Sequence, residues 1–407
     1  MITLKELSKL TKSCTCGNRH FDITIEEIVI SHDALQQTVS YMKNKQFHKA
    51  AIIADQMTFH VAGKKLSNMF KESNFNHEIV IIQPNELGDV IANEISLIEA
   101  LLGISPDTDI VIAVGSGTIH DIARFTSYKM GKPFISVPTA PSVDGFNSMG
   151  APVVIKGVKT TYQMQAPIAL FADITILKQA PKDMIAAGFG DMIGKYTSLA
   201  DWSFSHFSAG EAYCPLSAQL TKEALEDCVE SINQIAEADE AGIKTLIESL
   251  VQSGLAMLLI GHSSPASGGE HHLSHYWEME FLKQGKAQVL HGAKVGVSSQ
   301  LILKLYKSDF LKLVYKIGSL EVQVPNSKDQ QNNVIAKNTE IIKMINSLPD
   351  AATLTSLLQK LGGAVQPAEL GISSELVRDS LNHAHLLRNR CTMLKFWNEQ
   401  REIHKYI

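Results

Sequence analysis

Three side chains far apart in the chain carry the chemistry around which this sequence is organised. Asp191 stands in Gly188-Phe189-Gly190-Asp191-Met192-Ile193-Gly194-Lys195, His271 in Gly268-Gly269-Glu270-His271-His272-Leu273-Ser274-His275, and His291 in Leu290-His291-Gly292-Ala293. A carboxylate and two imidazoles converging from separate segments make a divalent-metal site with an open position. Oxygen and nitrogen donors favour zinc, nickel, iron or manganese over magnesium or calcium. No cysteine lies near these positions in sequence, which favours a catalytic over a structural site. His271 and His275 are four apart and share one helix face, whereas His272 points to a supporting or exposed position. Lys195, one helical turn after Asp191, either faces an anionic group or forms a structural ion pair.

A second group of candidates suits phosphate and hydroxyl recognition. Gly115-Ser116-Gly117-Thr118-Ile119-His120-Asp121 lies between a strand and a helix, where free N–H groups can meet a pyrophosphate. It lacks the third glycine of G-x-G-x-x-G, so a plain turn stays open beside the nucleotide reading. Asp55, at the end of an earlier strand, either accepts from a ribose or caps a helix. Thr139-Ala140-Pro141-Ser142-Val143-Asp144-Gly145-Phe146-Asn147-Ser148 supplies hydroxyls and an acid, as a ligand loop or as a self-stabilised turn.

Positioning these groups requires a sheet and a set of helices. From about residue 49, short apolar runs alternate with helical patterns. The runs at 50–54, 79–82, 109–114 and 134–137 suit strands buried on both faces. Such alternation predicts a Rossmann-like parallel sheet with its ligand at the carboxyl ends of the strands. Residues 153–155 and 168–171 are expected to form short strands linking two halves. Beyond Pro181 apolar residues recur at helical spacing over 185–204, 220–236, 243–260, 291–305 and 338–348. Residues 326–333 read as a polar loop. The expected architecture is an α/β domain over 1–180, an all-α domain over 181–407 and an active-site cleft between them.

Bulk properties restrict the partners. The 407 residues carry 45% hydrophobic and 19% charged residues, as a folded chain of more than one domain requires. A formal charge of -5 argues against a general nucleic-acid binder. No run reads as a membrane helix, and the amphipathic first ten residues lack a signal-peptide core, so no membrane partner is expected. Five cysteines without framework spacing suit a reducing cytoplasm. Cys14-Thr15-Cys16-Gly17-Asn18-Arg19-His20 offers three soft donors, but the cysteines are closer than in a usual zinc knuckle and no fourth donor is evident. A surface turn with free thiols is the expectation.

Taken in order, Gly-Ser-Gly-Thr-Ile-x-Asp (115–121), Thr-Ala-Pro-Ser-x-Asp-Gly (139–145), Gly-Phe-Gly-Asp (188–191), Ser-Gly-Gly-Glu-His-His-x-Ser-His (267–275) and His-Gly (291–292) resemble the sn-glycerol-1-phosphate dehydrogenases. The resemblance is closest to their bacterial form encoded beside arabinose-utilisation genes. That family belongs to the iron-containing alcohol dehydrogenase superfamily, with glycerol dehydrogenase and 3-dehydroquinate synthase. The resemblance covers residues 50–295 with specific motifs. It implies reversible, NAD(P)-dependent reduction of dihydroxyacetone phosphate to sn-glycerol 1-phosphate for glycerophospholipid-type metabolism; glycerol dehydrogenase and a dehydroquinate synthase-like enzyme are the alternatives. Asp55, Gly115, Ser116, Gly117, Thr118, Ile119, Thr139, Ala140, Pro141, Ser142 and Ser148 would contact NAD(H) or NADP(H), with the acid at Asp55 leaning toward NAD. Asp191, His271 and His291 would hold one nickel or zinc ion. Asp144, Asp191 and His275 would face the substrate, so that Asp191, His271, His275 and His291 form the catalytic set. A homodimer is implied by the same resemblance.

Overall fold

The computed structural model describes residues 1–319 and 330–403. Its sheet consists of β1 (Glu27–Ser31), β2 (Lys49–Asp55), β3 (Asn76–Ile82), β4 (Ile110–Gly115), β5 (Phe134–Pro138) and β8 (Ala169–Asp173), in the order β1-β8-β5-β4-β2-β3 and parallel throughout. β2, β4, β5 and β8 read as unbroken apolar runs because helices cover both faces of the sheet. Alternate residues of one strand therefore enter different cores: Ile52 and Ala54 face one, Ala51 and Ile53 the other. β6 (Gly150–Ile155) and β7 (Val158–Gln163) form a separate antiparallel hairpin.

One register detail positions the site. Gly115 of β4 lies opposite Pro138 of β5, so the two loops that follow leave the sheet side by side at its carboxyl edge. The first loop turns at once into the Gly117–Lys129 helix, and the second carries residues 139–148.

Beyond residue 181 the chain is helical among the described residues. The Glu240–Ile260 helix runs through the middle, burying Ile243, Leu246, Ile247, Leu250 and Val251. By length and composition it could cross a membrane, contrary to the expectation that no run would, but 78% of its apolar window is buried inside the protein. Apolarity all round here marks a core helix. The Lys182–Ile193 and His291–Leu305 helices pack closely because Gly190 and Gly292 lack side chains. A Cβ on Gly190 would lie 2.3 Å from the Gly292 carbonyl oxygen, and one on Gly292 would lie 1.8 Å from that of Ala187.

Several local expectations are corrected. Residues 169–171 belong to β8, an inner strand of the main sheet held between β1 and β5, not to a linking strand. β1 and β7 lack an apolar-run signal because no residue of either is fully buried. The helical pattern placed at 185–204 is two helices, Lys182–Ile193 and Lys195–Ala209, separated at Gly194. Of the predicted polar loop, 326–329 lie outside the described residues, and 330–333 begin the Gln330–Ala336 helix. The Cys14–His20 turn does not stand free on the surface. It follows the Leu4–Ser13 helix, whose Leu7 is buried in a cluster with Trp202 and Leu255, and lies against Cys214.

Candidate active site

Asp191 is on the Lys182–Ile193 helix, within the stretch expected to be helical, and it is fully buried. The glycine before its segment serves close packing: a Cβ on Gly188 would lie 1.8 Å from the Pro141 carbonyl oxygen. That approach sets the 139–148 loop directly against Asp191. The Asp144 N–H donates to Asp191 Oδ2 at 3.0 Å. Lys195 Nζ, four residues on, lies 3.0 Å from Asp191 Oδ1 and 2.8 Å from Asp144 Oδ2, so one buried ammonium serves two carboxylates. Burial works against its charge, but Asp144 and Asp191 overcome this and hold its pKa above the usual lysine value. Ser253 Oγ donates to Asp144 Oδ2 at 2.9 Å.

The histidines come from two helix starts. His271 and His275 are on the Gly269–Lys283 helix and His291 opens the His291–Leu305 helix. Their ring centroids lie 5.1 to 6.1 Å apart. His271 Nε2 is 3.7 Å from Asp191 Oδ1. Donor atoms of Asp191, His271 and His291 all fall within 4.8 Å of one another. The ring of His271 is oriented by its neighbour. Burial opposes ionisation of Glu270, but His271, Thr197 and the Gly268 N–H together lower its pKa to about 2. The ionised carboxylate accepts from His271 Nδ1 at 2.7 Å, which turns Nε2 toward Asp191.

These donors fit a divalent cation. Ligands at about 2.1 Å from a metal in tetrahedral array lie about 3.4 Å apart, close to the separation of His271 and Asp191. His291 Nδ1 is buried with no hydrogen-bond partner, and burial holds the His291 ring neutral, as a ligand must be.

A cavity of about 390 Å³ extends from this cluster to the sheet edge. Ser116, Gly117, Thr118, Ser142, Asp144, Ser148, His271, His275 and His291 line it. The N-terminus of the Gly117–Lys129 helix thus opens into the same space as the histidines. Other sequence candidates are not on its wall. The Ile119 side chain packs in the core, and Asp55 Oδ1 accepts from the Thr58 N–H at 2.7 Å as a helix cap. Gly115, Thr139, Ala140 and Pro141 support the wall from behind: the Thr139 N–H donates to the Gly115 carbonyl at 3.0 Å. His272 is buried, not exposed, and neither ring nitrogen has a hydrogen-bond partner.

Sequence reasoning gave no role to four charged groups on the wall: Lys159, Glu278, Lys294 and Arg388, the last of which it saw only as part of a basic C-terminal cluster with Arg390 and Lys395. Lys159 Nζ and Lys294 Nζ both reach Glu278, at 2.8 and 2.9 Å. The signal was helical spacing, since Glu278 follows His275 by three residues and Lys294 follows His291 by three. Lys159, Thr161 and Gln163 share one face of β7 by strand alternation. Arg388 Nη2 donates to His275 Nδ1 at 3.2 Å, so His275 carries its proton on Nε2. Burial, reinforced by Arg388, holds that ring neutral.

A parallel sheet followed by a helical half is the fold of the iron-containing alcohol dehydrogenases. The model of that family, described as iron-containing alcohol dehydrogenase, matches residues 29–181. Solved structures share the fold at low identity. An archaeal alcohol dehydrogenase from a Red Sea brine pool matches at 13% identity with a TM-score of 0.67, covering 94% of this chain and 98% of its own. A probable glycerol dehydrogenase of Sinorhizobium meliloti matches at 14% and 0.64, covering 93% and 98%. Sequence relatives are much closer. The chain is 52% identical to the glycerol-1-phosphate dehydrogenase [NAD(P)+] of Geobacillus stearothermophilus, over 98% of both chains. It is 44% identical to that of Bacillus subtilis, over 95% of this chain and 94% of the relative. The chain belongs to the glycerol-1-phosphate dehydrogenase family within the iron-containing alcohol dehydrogenases.

Proposed function

We infer that the protein is an NAD(P)-dependent oxidoreductase that reversibly reduces dihydroxyacetone phosphate to sn-glycerol 1-phosphate with the help of one divalent metal ion. The observation that carries this reading is a single cavity that joins a helix N-terminus at Ser116–Thr118 to the Asp191/His271/His291 cluster. Relatives bearing that activity in their names match nearly the whole chain. Nickel or zinc suits the donor set, and a homodimer, a cytoplasmic location and a division between residues 180 and 181 belong to the same proposal.

When bound, the cation supplies Lewis acidity at the substrate's C2 oxygen and the reduced dinucleotide supplies the hydride. Asp191, His271 and His291 would hold the cation, with Glu270 orienting His271 and Lys195 orienting Asp191. Ser116, Gly117 and Thr118 would receive the pyrophosphate at free helix N–H groups, and Ser142 and Ser148 offer hydroxyls beside them. Asp144 and His275 face the substrate. The neutral His275 would offer its Nε2–H as a hydrogen-bond donor to the C2 oxygen while negative charge develops there, and the proton that completes the alcohol would come from water. Lys159, Lys294 and Arg388 stand on the same wall and would receive the phosphate.

The test is oxidation of NADH and NADPH with dihydroxyacetone phosphate, with added nickel or zinc and after chelation. Metal-dependent turnover that favours the phosphorylated substrate is expected. Equal turnover of unphosphorylated dihydroxyacetone would assign the site to a glycerol dehydrogenase instead, and no turnover with any metal would overturn the reading.

A further inference from the structure

Along the chain Cys14, Cys16 and His20 lack a fourth donor; the fold brings Cys214 to them. We propose that these four residues form a second metal site, separate from the catalytic cavity, that takes a structural zinc ion in a Cys3His shell. Cys14 Sγ lies 3.9 Å from Cys214 Sγ, His20 Nε2 lies 3.3 Å from Cys214 Sγ, and Cys16 Sγ lies 3.5 Å from His20 Nε2. All four donor atoms fall within 4.8 Å of one another. In a tetrahedron with zinc–sulfur bonds of about 2.3 Å and a zinc–nitrogen bond of about 2.05 Å, sulfurs are about 3.8 Å apart and sulfur to nitrogen is about 3.5 Å. The shell therefore has its liganding dimensions already. All five cysteines are free, and the sulfurs are far beyond the roughly 2.0 Å of a disulfide.

Local structure explains how two cysteines so close in sequence can serve one ion. The Leu4–Ser13 helix ends at Cys14, and Gly17 turns the chain with φ +76, a left-handed conformation that glycine adopts without strain. Asn18 Nδ2 donates to the Tyr213 carbonyl at 2.7 Å, which ties the turn beside Cys214. Cys214 is the N-cap of the Pro215–Glu230 helix, so the start of that helix fixes its place beside the turn. Three thiolates and an imidazole select a soft cation such as zinc.

The site braces the cavity from outside. Tyr213 packs on Trp202 with ring centroids 4.6 Å apart. Glu211 Oε2 accepts from Arg390 at 3.3 Å and its Oε1 accepts from Ser264 at 2.5 Å. Arg390 also donates to the Ser267 carbonyl, and Ser267 is on the cavity wall. Zinc would thus fasten the first helix to the segment that carries this support.

The test uses the full-length His271→Ala variant, in which the catalytic cluster has lost a ligand, purified reduced in the presence of zinc. About one zinc per chain should remain. Cobalt(II) in its place should give thiolate-to-metal charge-transfer absorption, which an Asp/His/His site cannot produce. Cys16→Ser in the same background should abolish the band and the residual zinc. Should that double variant not fold, thiol titration of the unmutated protein decides instead: a zinc chelator should raise the reaction rate of Cys14 and Cys16 at least tenfold. Cobalt bound without a thiolate band, no residual zinc in His271→Ala, thiols indifferent to chelation, or a Cys14–Cys214 disulfide under reducing conditions would each overturn the proposal.

Discussion

Glu270→Gln isolates what a single charge contributes to the metal cluster. Glu270 Oε1 accepts from His271 Nδ1 at 2.7 Å and from the Gly268 N–H at 2.5 Å, while Oε2 accepts from Thr197 Oγ1 at 2.6 Å. A glutamine that keeps its oxygen at the first position preserves both of those bonds. Its amide then faces Thr197, whose hydroxyl retains the Gly194 carbonyl at 3.0 Å as an alternative acceptor. Geometry survives and only the charge is lost. A charge-assisted hydrogen bond contributes about 1.5–3 kcal/mol against about 0.5–1.5 for a neutral one, so the His271 bond weakens by about 1–1.5 kcal/mol. Metal affinity should fall about tenfold, within the range of about 10–100-fold expected for partners of metal-bound histidines. Glu270→Ala should do more, because the Gly268 N–H and His271 Nδ1 lose their buried acceptor, at about 1–3 kcal/mol each. Competition against a chromophoric chelator measures affinity, and urea midpoints report folding alongside. Glu270→Gln binding metal within about twofold of the parent would refute the claim that the charge of this carboxylate strengthens His271 as a ligand.

Other outcomes follow from the same geometry. His271→Ala and His291→Ala should each lose catalytic metal and activity together, and activity persisting in either without metal would contradict the site. Lys294→Met should raise KM for dihydroxyacetone phosphate about tenfold or more while leaving that for unphosphorylated dihydroxyacetone little changed; a fall in kcat alone would place Lys294 elsewhere in the reaction. Gly292→Ala, whose Cβ would meet the Ala187 carbonyl at 1.8 Å, should cost about 1–3 kcal/mol or more in urea unfolding. His120 is fully buried, its Nδ1 donating to the Ser116 carbonyl at 2.9 Å and its Nε2 accepting from Ser136 at 2.7 Å, and burial lowers its pKa to about 3. The unfolded chain therefore binds this proton first, and the stability is present above about pH 6.5 and lost as pH falls toward 3, at about 1.4 kcal/mol per unit. His120→Gln should flatten the slope of unfolding free energy between pH 6.5 and 5 by about one proton; an unchanged slope would show that His120 does not titrate on unfolding.

The sequence by itself determined the strands and the chemistry of the site, because both are local properties. β2, β4 and β5 are legible as apolar runs since a sheet covered on both faces demands them, and the i, i+4 spacing of His271 and His275 needs only a helix. Donor types at Asp191, His271 and His291 are likewise read directly, although nothing in one dimension says that they meet. Tertiary structure decided what depends on packing between distant segments. It showed what the glycines around Asp191 are for, close contact with the Pro141 and Gly292 backbones. It assigned Lys195 to both Asp144 and Asp191, and it left Asp55 capping a helix away from the cavity wall. It brought Arg388 from the far end of the chain to His275, a contact separated by 113 residues. Sequence spacing likewise could not supply Cys214 to Cys14, Cys16 and His20, because a coordination shell is a statement about distance in space, and only the fold closes a gap of 194 residues to 3.3 Å.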